Sequence, residues 1–117
     1  MNREELTDRT KKFAHQCVKL AMALPETALG QHLHGQVIRC STSVAANYCA
    51  TCLSQSKASF VAKISIVLEE ADESAFWLEF ITDENLLKEN LVKPLLREAN
   101  EVTAIFASSR KTTSTKN

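Results

Sequence analysis

Seven residues of the segment 60–81, Phe60, Ile64, Val67, Ala71, Ser74, Leu78 and Ile81, recur at spacings of four and three for three heptads. Only a helix with one buried side satisfies that rhythm, because side chains three and four apart share a helix face while a strand alternates at every second residue. Ser74 alone departs from apolar character. One such helix cannot bury its own stripe, so the rest of the chain must supply partners for it.

The same rhythm runs through the rest of the sequence. Leu6, Thr10, Phe13, Cys17, Leu20 and Leu24 mark a first helix over about residues 4–24. Pro25 ends it, since the residue before a proline is pushed out of the α region, and residues 25–30 make the connection. Leu33, Val37, Cys40, Val44 and Ala45 mark a second helix over about residues 31–53, which Gly35 weakens only slightly. Ser54-Gln55-Ser56 is a polar break with Ser56 placed to cap the third helix, and so short a link makes the second and third helices an antiparallel hairpin. Asp83-Glu84-Asn85 marks the exit from the third helix. Pro94 then sits near the start of a fourth, where its missing N–H does little harm, and Leu95, Ala99, Val102 and Phe106 form that helix's stripe. The residues after Ser109 include no apolar side chain, so residues 110–117 are expected to be a disordered polar tail.

Two glycines and two prolines in 117 residues are too few for a turn-rich β fold. The expected architecture is therefore all-α, a single domain over residues 1–109 built as an antiparallel up-down-up-down four-helix bundle. The N-terminus lacks the apolar run of a secretory signal, and the longest apolar stretch, residues 20–24, is far too short to span a membrane. A cytoplasmic protein is expected, with Cys17, Cys40, Cys49 and Cys52 reduced.

Lys and Arg total 14 and so do Asp and Glu, so the chain has no global attraction for nucleic acid. The charge is uneven, however. Residues 1–20 carry five basic and three acidic groups, residues 56–90 three basic against eight acidic, and residues 91–117 five basic against two acidic. The acidic segment can pair with the basic ends, within one molecule or between molecules.

The run Val37-Ile38-Arg39-Cys40-Ser41-Thr42-Ser43-Val44-Ala45-Ala46-Asn47-Tyr48 resembles the signature of a bacterial family, the four-helix-bundle proteins encoded in intervening sequences of 23S ribosomal RNA genes. Arg9-Thr10-Lys11-Lys12-Phe13-Ala14, Leu24-Pro25 and Glu70-Ala71-Asp72-Glu73-Ser74-Ala75-Phe76-Trp77-Leu78-Glu79 resemble the same family, in the same order, over nearly the whole chain to about Ser109. The resemblance implies a left-handed bundle and does not imply an enzyme. By analogy with the related accessory variability proteins of diversity-generating retroelements, it also implies a ring-like homopentamer. Those accessory proteins are strongly basic and are associated with nucleic acid and a reverse transcriptase; this chain, with no net charge, departs from them.

Three groups of residues stand out. Arg39, Ser43 and Asn47, spaced by four, form a polar seam on the second helix, and antiparallel counting sets Arg39 opposite the region of Glu70 to Asp72, with Glu70 the preferred partner, and Asn47 opposite Lys63. The seam reads either as a ligand or partner pocket or as a network that fixes helix register. Ile66, Trp77 and Phe80 lie off the core stripe of the third helix, and mark either a self-association surface or a wide core face. Arg3, Arg9, Lys11, Lys12, Lys19, Arg110, Lys111 and Lys116 are the residues through which RNA or a ribosome would be bound, the alternative to protein–protein association.

Catalytic and metal chemistry find little support. Cys49-x-x-Cys52, His15, His32 and His34 are zinc-ligand types, but about 22 Å of helix separates His34 from Cys49. No Glu-x-x-His motif, phosphate-cradling glycine loop or nucleophile motif occurs. The expectation is a protein without catalytic residues, cofactor, metal or small-molecule substrate.

Overall fold

The computed structural model describes residues 1–115. Four helices follow one another: α1 (Arg3–Ala21), α2 (Ala28–Thr51), α3 (Lys57–Asp83) and α4 (Glu89–Thr115). There is no strand among the described residues.

Local chemistry sets most of the helix ends. The Asn2 side chain accepts a hydrogen bond from the Glu5 N–H at 2.8 Å, satisfying one of the donors that a helix start leaves open. Glu4 and Glu5 in the first turn and Lys19 in the last complement the helix dipole. Thr27 caps α2 by accepting from the Gly30 N–H at 3.0 Å. A Cβ on Gly30 would lie 2.0 Å from the Pro25 carbonyl oxygen, so the close turn between α1 and α2 requires glycine there. Ser56 caps α3 through the Ser59 N–H. At the far end of α3, Asn85 takes the left-handed conformation at φ 55°. The Leu86 N–H reaches back to the Ile81 carbonyl and the Asn85 N–H to the Thr82 carbonyl, a Schellman cap with asparagine in the glycine position.

α4 differs from expectation at both ends. It begins at Glu89, so Pro94 is its sixth residue and leaves the Asn90 carbonyl without its usual intrahelical donor. At the other end the helix continues through Thr115 instead of giving way to a disordered tail at residue 110. Nothing in 110–115 breaks a helix, and extending a formed one fixes a single residue per added hydrogen bond, so polar residues can follow without burial. Lys116 and Asn117, the last of the expected tail, lie outside the described residues.

Each helix packs on its neighbours in sequence, and α4 closes back on α1. The diagonal pairs, α1 with α3 and α2 with α4, do not approach each other closely. The result is the antiparallel four-helix bundle, 50 Å long and about 20 Å across. The predicted stripes face inward: all their members are buried except Phe60, which is half-buried. Phe13, Leu33, Val37, Leu78, Ile81 and Val92 fill one half of the core, and Val44, Ile64, Val67, Val102 and Phe106 the other. Each of these larger side chains contributes about 1.5–3 kcal/mol by leaving water. The α1–α4 seam is the most loosely closed of the four.

Candidate interaction surface

With the core stripes used up, the outward faces are what remain for function. On the α2–α3 side, Arg39 reaches across and pairs with Glu70 at 3.2 Å and with Glu73. It also donates to the Gln36 side-chain oxygen. Glu73 in turn accepts from the Trp77 indole N–H at 3.0 Å. Ser43 and Asn47 do not join this network. Asn47 donates to the backbone and side-chain oxygens of Ser43, one turn back on its own helix, and no hydrogen bond links it to Lys63 among the described residues. The polar seam is thus two separate arrangements, a cross-helix pair at Arg39 and a local one at Ser43 and Asn47.

The Trp77 ring stands edge-on to Phe76, Phe80 and His32, the last at a centroid distance of 5.7 Å. Trp77 and Phe80 are half-buried and pack against the core. Ile66 is 45 % exposed. The most exposed aromatic is Phe76, at 56 %, which sequence reasoning did not single out. Its signal was available: in the heptad frame of the stripe, Phe76 occupies the position pointing directly away from the core, where a large apolar side chain gains nothing from the fold. Around it lie Glu69, Asp72, Glu79 and Asp83, all exposed. Among the described residues none has a cation within 4.0 Å.

The α1–α4 side mixes both signs, with Glu5, Asp8 and Glu98 beside Arg9 and Lys12. Arg9 forms a two-pronged pair with Glu98, 2.6 and 2.7 Å, and reaches Glu101 at 3.5 Å. Its hydrogen bonds to Glu98 raise the guanidinium pKa, against a smaller opposing effect of burial. Arg9 is therefore engaged within the molecule. Lys11, Lys12 and Lys19 are exposed and have no carboxylate partner among the described residues. Arg110 and Lys111 project from the last turns of α4, the former half-buried. Beside Lys19 an open groove between the two helices is floored by Leu20, Ala23, Leu91, Pro94 and Leu95, and Leu91 is 51 % exposed.

The thiols and imidazoles are dispersed. Cys17 and Cys40 are wholly buried, and burial pushes the Cys17 thiol up to about 12 and raises that of Cys40. Tyr48 is likewise raised to about 12, by burial first and by its contact with Cys52 second. Such groups stay protonated and unreactive near neutrality. Cys49 and Cys52 are half-buried at the end of α2, whereas His34 bonds the Ala21 carbonyl at 3.0 Å near its beginning. Among the described residues no three His, Cys, Asp or Glu side chains converge on a common point, and no helix is long and apolar enough to cross a membrane.

What the fold and its surfaces define is an antiparallel four-helix bundle whose chemistry lies on its outer faces. The chain belongs to the family of 23S rRNA-intervening sequence proteins, whose model matches residues 3–108. It is similar to a protein of unknown function from the S23 ribosomal protein family of Bacteroides thetaiotaomicron, whose crystal structure superposes with a TM-score of 0.82. The two are 26 % identical, over 91 % of this chain and 98 % of that one. No curated protein matches the sequence.

Proposed function

We propose that this protein is a non-enzymatic, self-associating helical bundle of the cytoplasm, assembled as a homopentamer, that acts by presenting repeated surfaces to other macromolecules. The observation that carries the reading is the outer face of α3. Phe76 and Ile66 stand exposed there among unpartnered acids, on a helix whose inner face already meets the needs of the fold. Exposed apolar side chains rimmed by polar ones characterise protein–protein interfaces. Five copies of each surface would make even weak contacts with a partner additive. Sedimentation velocity over a dilution series tests this. The wild-type chain should sediment as one assembly, and Phe76→Asp should sediment more slowly at unchanged helicity. Equal sedimentation of the two would remove the α3 face from the assembly.

A second reading, RNA or ribosome binding through Lys11, Lys12, Lys19, Arg110 and Lys111, is favoured by one specific observation. The continuation of α4 to Thr115 carries Arg110 and Lys111 on an ordered helix. Filter binding to structured RNA at low and high salt tests it: affinity should fall steeply with salt, and binding without salt sensitivity, or none, would dismiss it.

A further inference from the structure

The four thiols divide by exposure. Cys17 and Cys40 are wholly buried on the inner stripes, whereas Cys49 and Cys52 are half-buried and free. These two lie one turn apart at the end of α2, Cys49 in the last turn of the helix and Cys52 capping it just past Thr51. Cys49 also lines an open groove between α1 and α2, with Lys11 and His15 on one wall and Thr42 and Ala46 on the other. That lining includes two basic side chains and no carboxylate. Partly exposed thiols in electropositive surroundings are the reactive ones, while wholly buried thiols are inert. Cys52 does not line the groove and lies instead against the Tyr48 phenol.

We propose that Cys49 and Cys52 form a dithiol modification site, which a low-molecular-weight disulfide entering by the groove converts to an intrachain disulfide. The Cys49 thiolate attacks one sulfur of the incoming disulfide, whose S–S bond breaks and releases one small thiolate. The Cys52 thiolate then attacks Cys49 Sγ in the mixed disulfide and expels the second. The two protein thiols give up two electrons and two protons, and the small disulfide takes them up as two small thiols. Residues three apart on a helix have Cα atoms about 5 Å apart, inside the range of about 4.4–6.8 Å over which a disulfide closes. The Cβ atoms have to approach to about 3.8 Å, and the end of α2 is where the backbone can yield to let them. Cys52 lies beyond the last helical residue, tied to the helix by its N–H to the Tyr48 carbonyl, and Leu53 after it is 78 % exposed. A shift of this turn therefore disturbs little of the core. A bond of this kind in a reducing compartment is transient and senses the oxidant that made it.

Thiol counting tests the site, on the full chain incubated with glutathione disulfide, quenched, unfolded and alkylated for mass spectrometry. The wild-type chain should lose two of its four thiols with no glutathione left attached, and a reductant should restore both. Cys52→Ser cannot close the ring and should hold one glutathione on Cys49, while Cys49→Ser should keep its three thiols over the same interval. Circular dichroism checks that each variant folds, and Cys52→Ala, which suits the edge of the core where Cys52 packs, should hold the same single adduct. A wild-type chain that keeps all four thiols would overturn the proposal. So would glutathione retained on Cys49 and Cys52 together, a disulfide linking two chains, or a Cys49→Ser chain modified as fast as the wild type.

Discussion

The α2–α3 and α1–α4 seams each place one arginine between two carboxylates, yet the two arrangements serve different ends. On the α1–α4 side, Arg9 and Glu98 have side chains only 23 % and 24 % exposed, and the guanidinium meets both carboxylate oxygens. That two-pronged geometry, shielded from water, is the form in which an ion pair contributes to stability. It tethers the seam where the helices otherwise meet most loosely. On the α2–α3 side, Arg39 is 49 % exposed and its pairs contribute little by themselves. Its effect is on position: it holds Glu73, which accepts from Trp77, and so orients the aromatic shoulder around Phe76. One seam uses charge to close the fold, the other to arrange a surface.

Three substitutions separate these roles, all measured by denaturant unfolding at one fixed protein concentration, since association adds to apparent stability. Trp77→Ala has the largest expected effect, about 2–3 kcal/mol, below the usual range for a fully buried Trp because the ring is half-exposed. A loss under about 1 kcal/mol would mean that Trp77 belongs to the surface and not to the core. Arg9→Met comes next. It keeps the apolar stem but leaves Glu98 partly buried and unpaired, for a loss of about 1–2 kcal/mol. Arg39→Met should change stability least, by about 0.5 kcal/mol, while altering Trp77 fluorescence as Glu73 loses its anchor. If the losses for Arg9 and Arg39 came out equal, the contrast between the two seams would fail.

How much of this was legible beforehand depends on the range of the interaction. The stripes were readable because helix periodicity is local: Leu6 through Leu24 and Ile64 through Ile81 lie inward as their spacing requires. The Arg39–Glu70 pair was also within reach, because a short turn fixes the register of a hairpin and permits counting across it. The Arg9–Glu98 pair was not. Its partners are 89 positions apart, and nothing in the sequence aligns the first helix with the fourth until the whole bundle closes. The sequence places Trp77 and Phe80 off the core stripe and leaves a surface and a wide core face both open; their half-burial depends on what α2 places over them, including the His32 ring. Residues 110–115 were misread because composition measures what a segment can bury, whereas a helix already started can extend without burying anything.

The central claim is that these outer faces make the chain an assembly, and its absolute mass in solution tests that most directly. Light scattering on a sizing column, at two loading concentrations, should return one stable mass near five times 13.0 kDa. A mass of 13.0 kDa at both concentrations would contradict the claim, and would leave the exposed Phe76 and the unpaired acids of α3 without the role assigned to them.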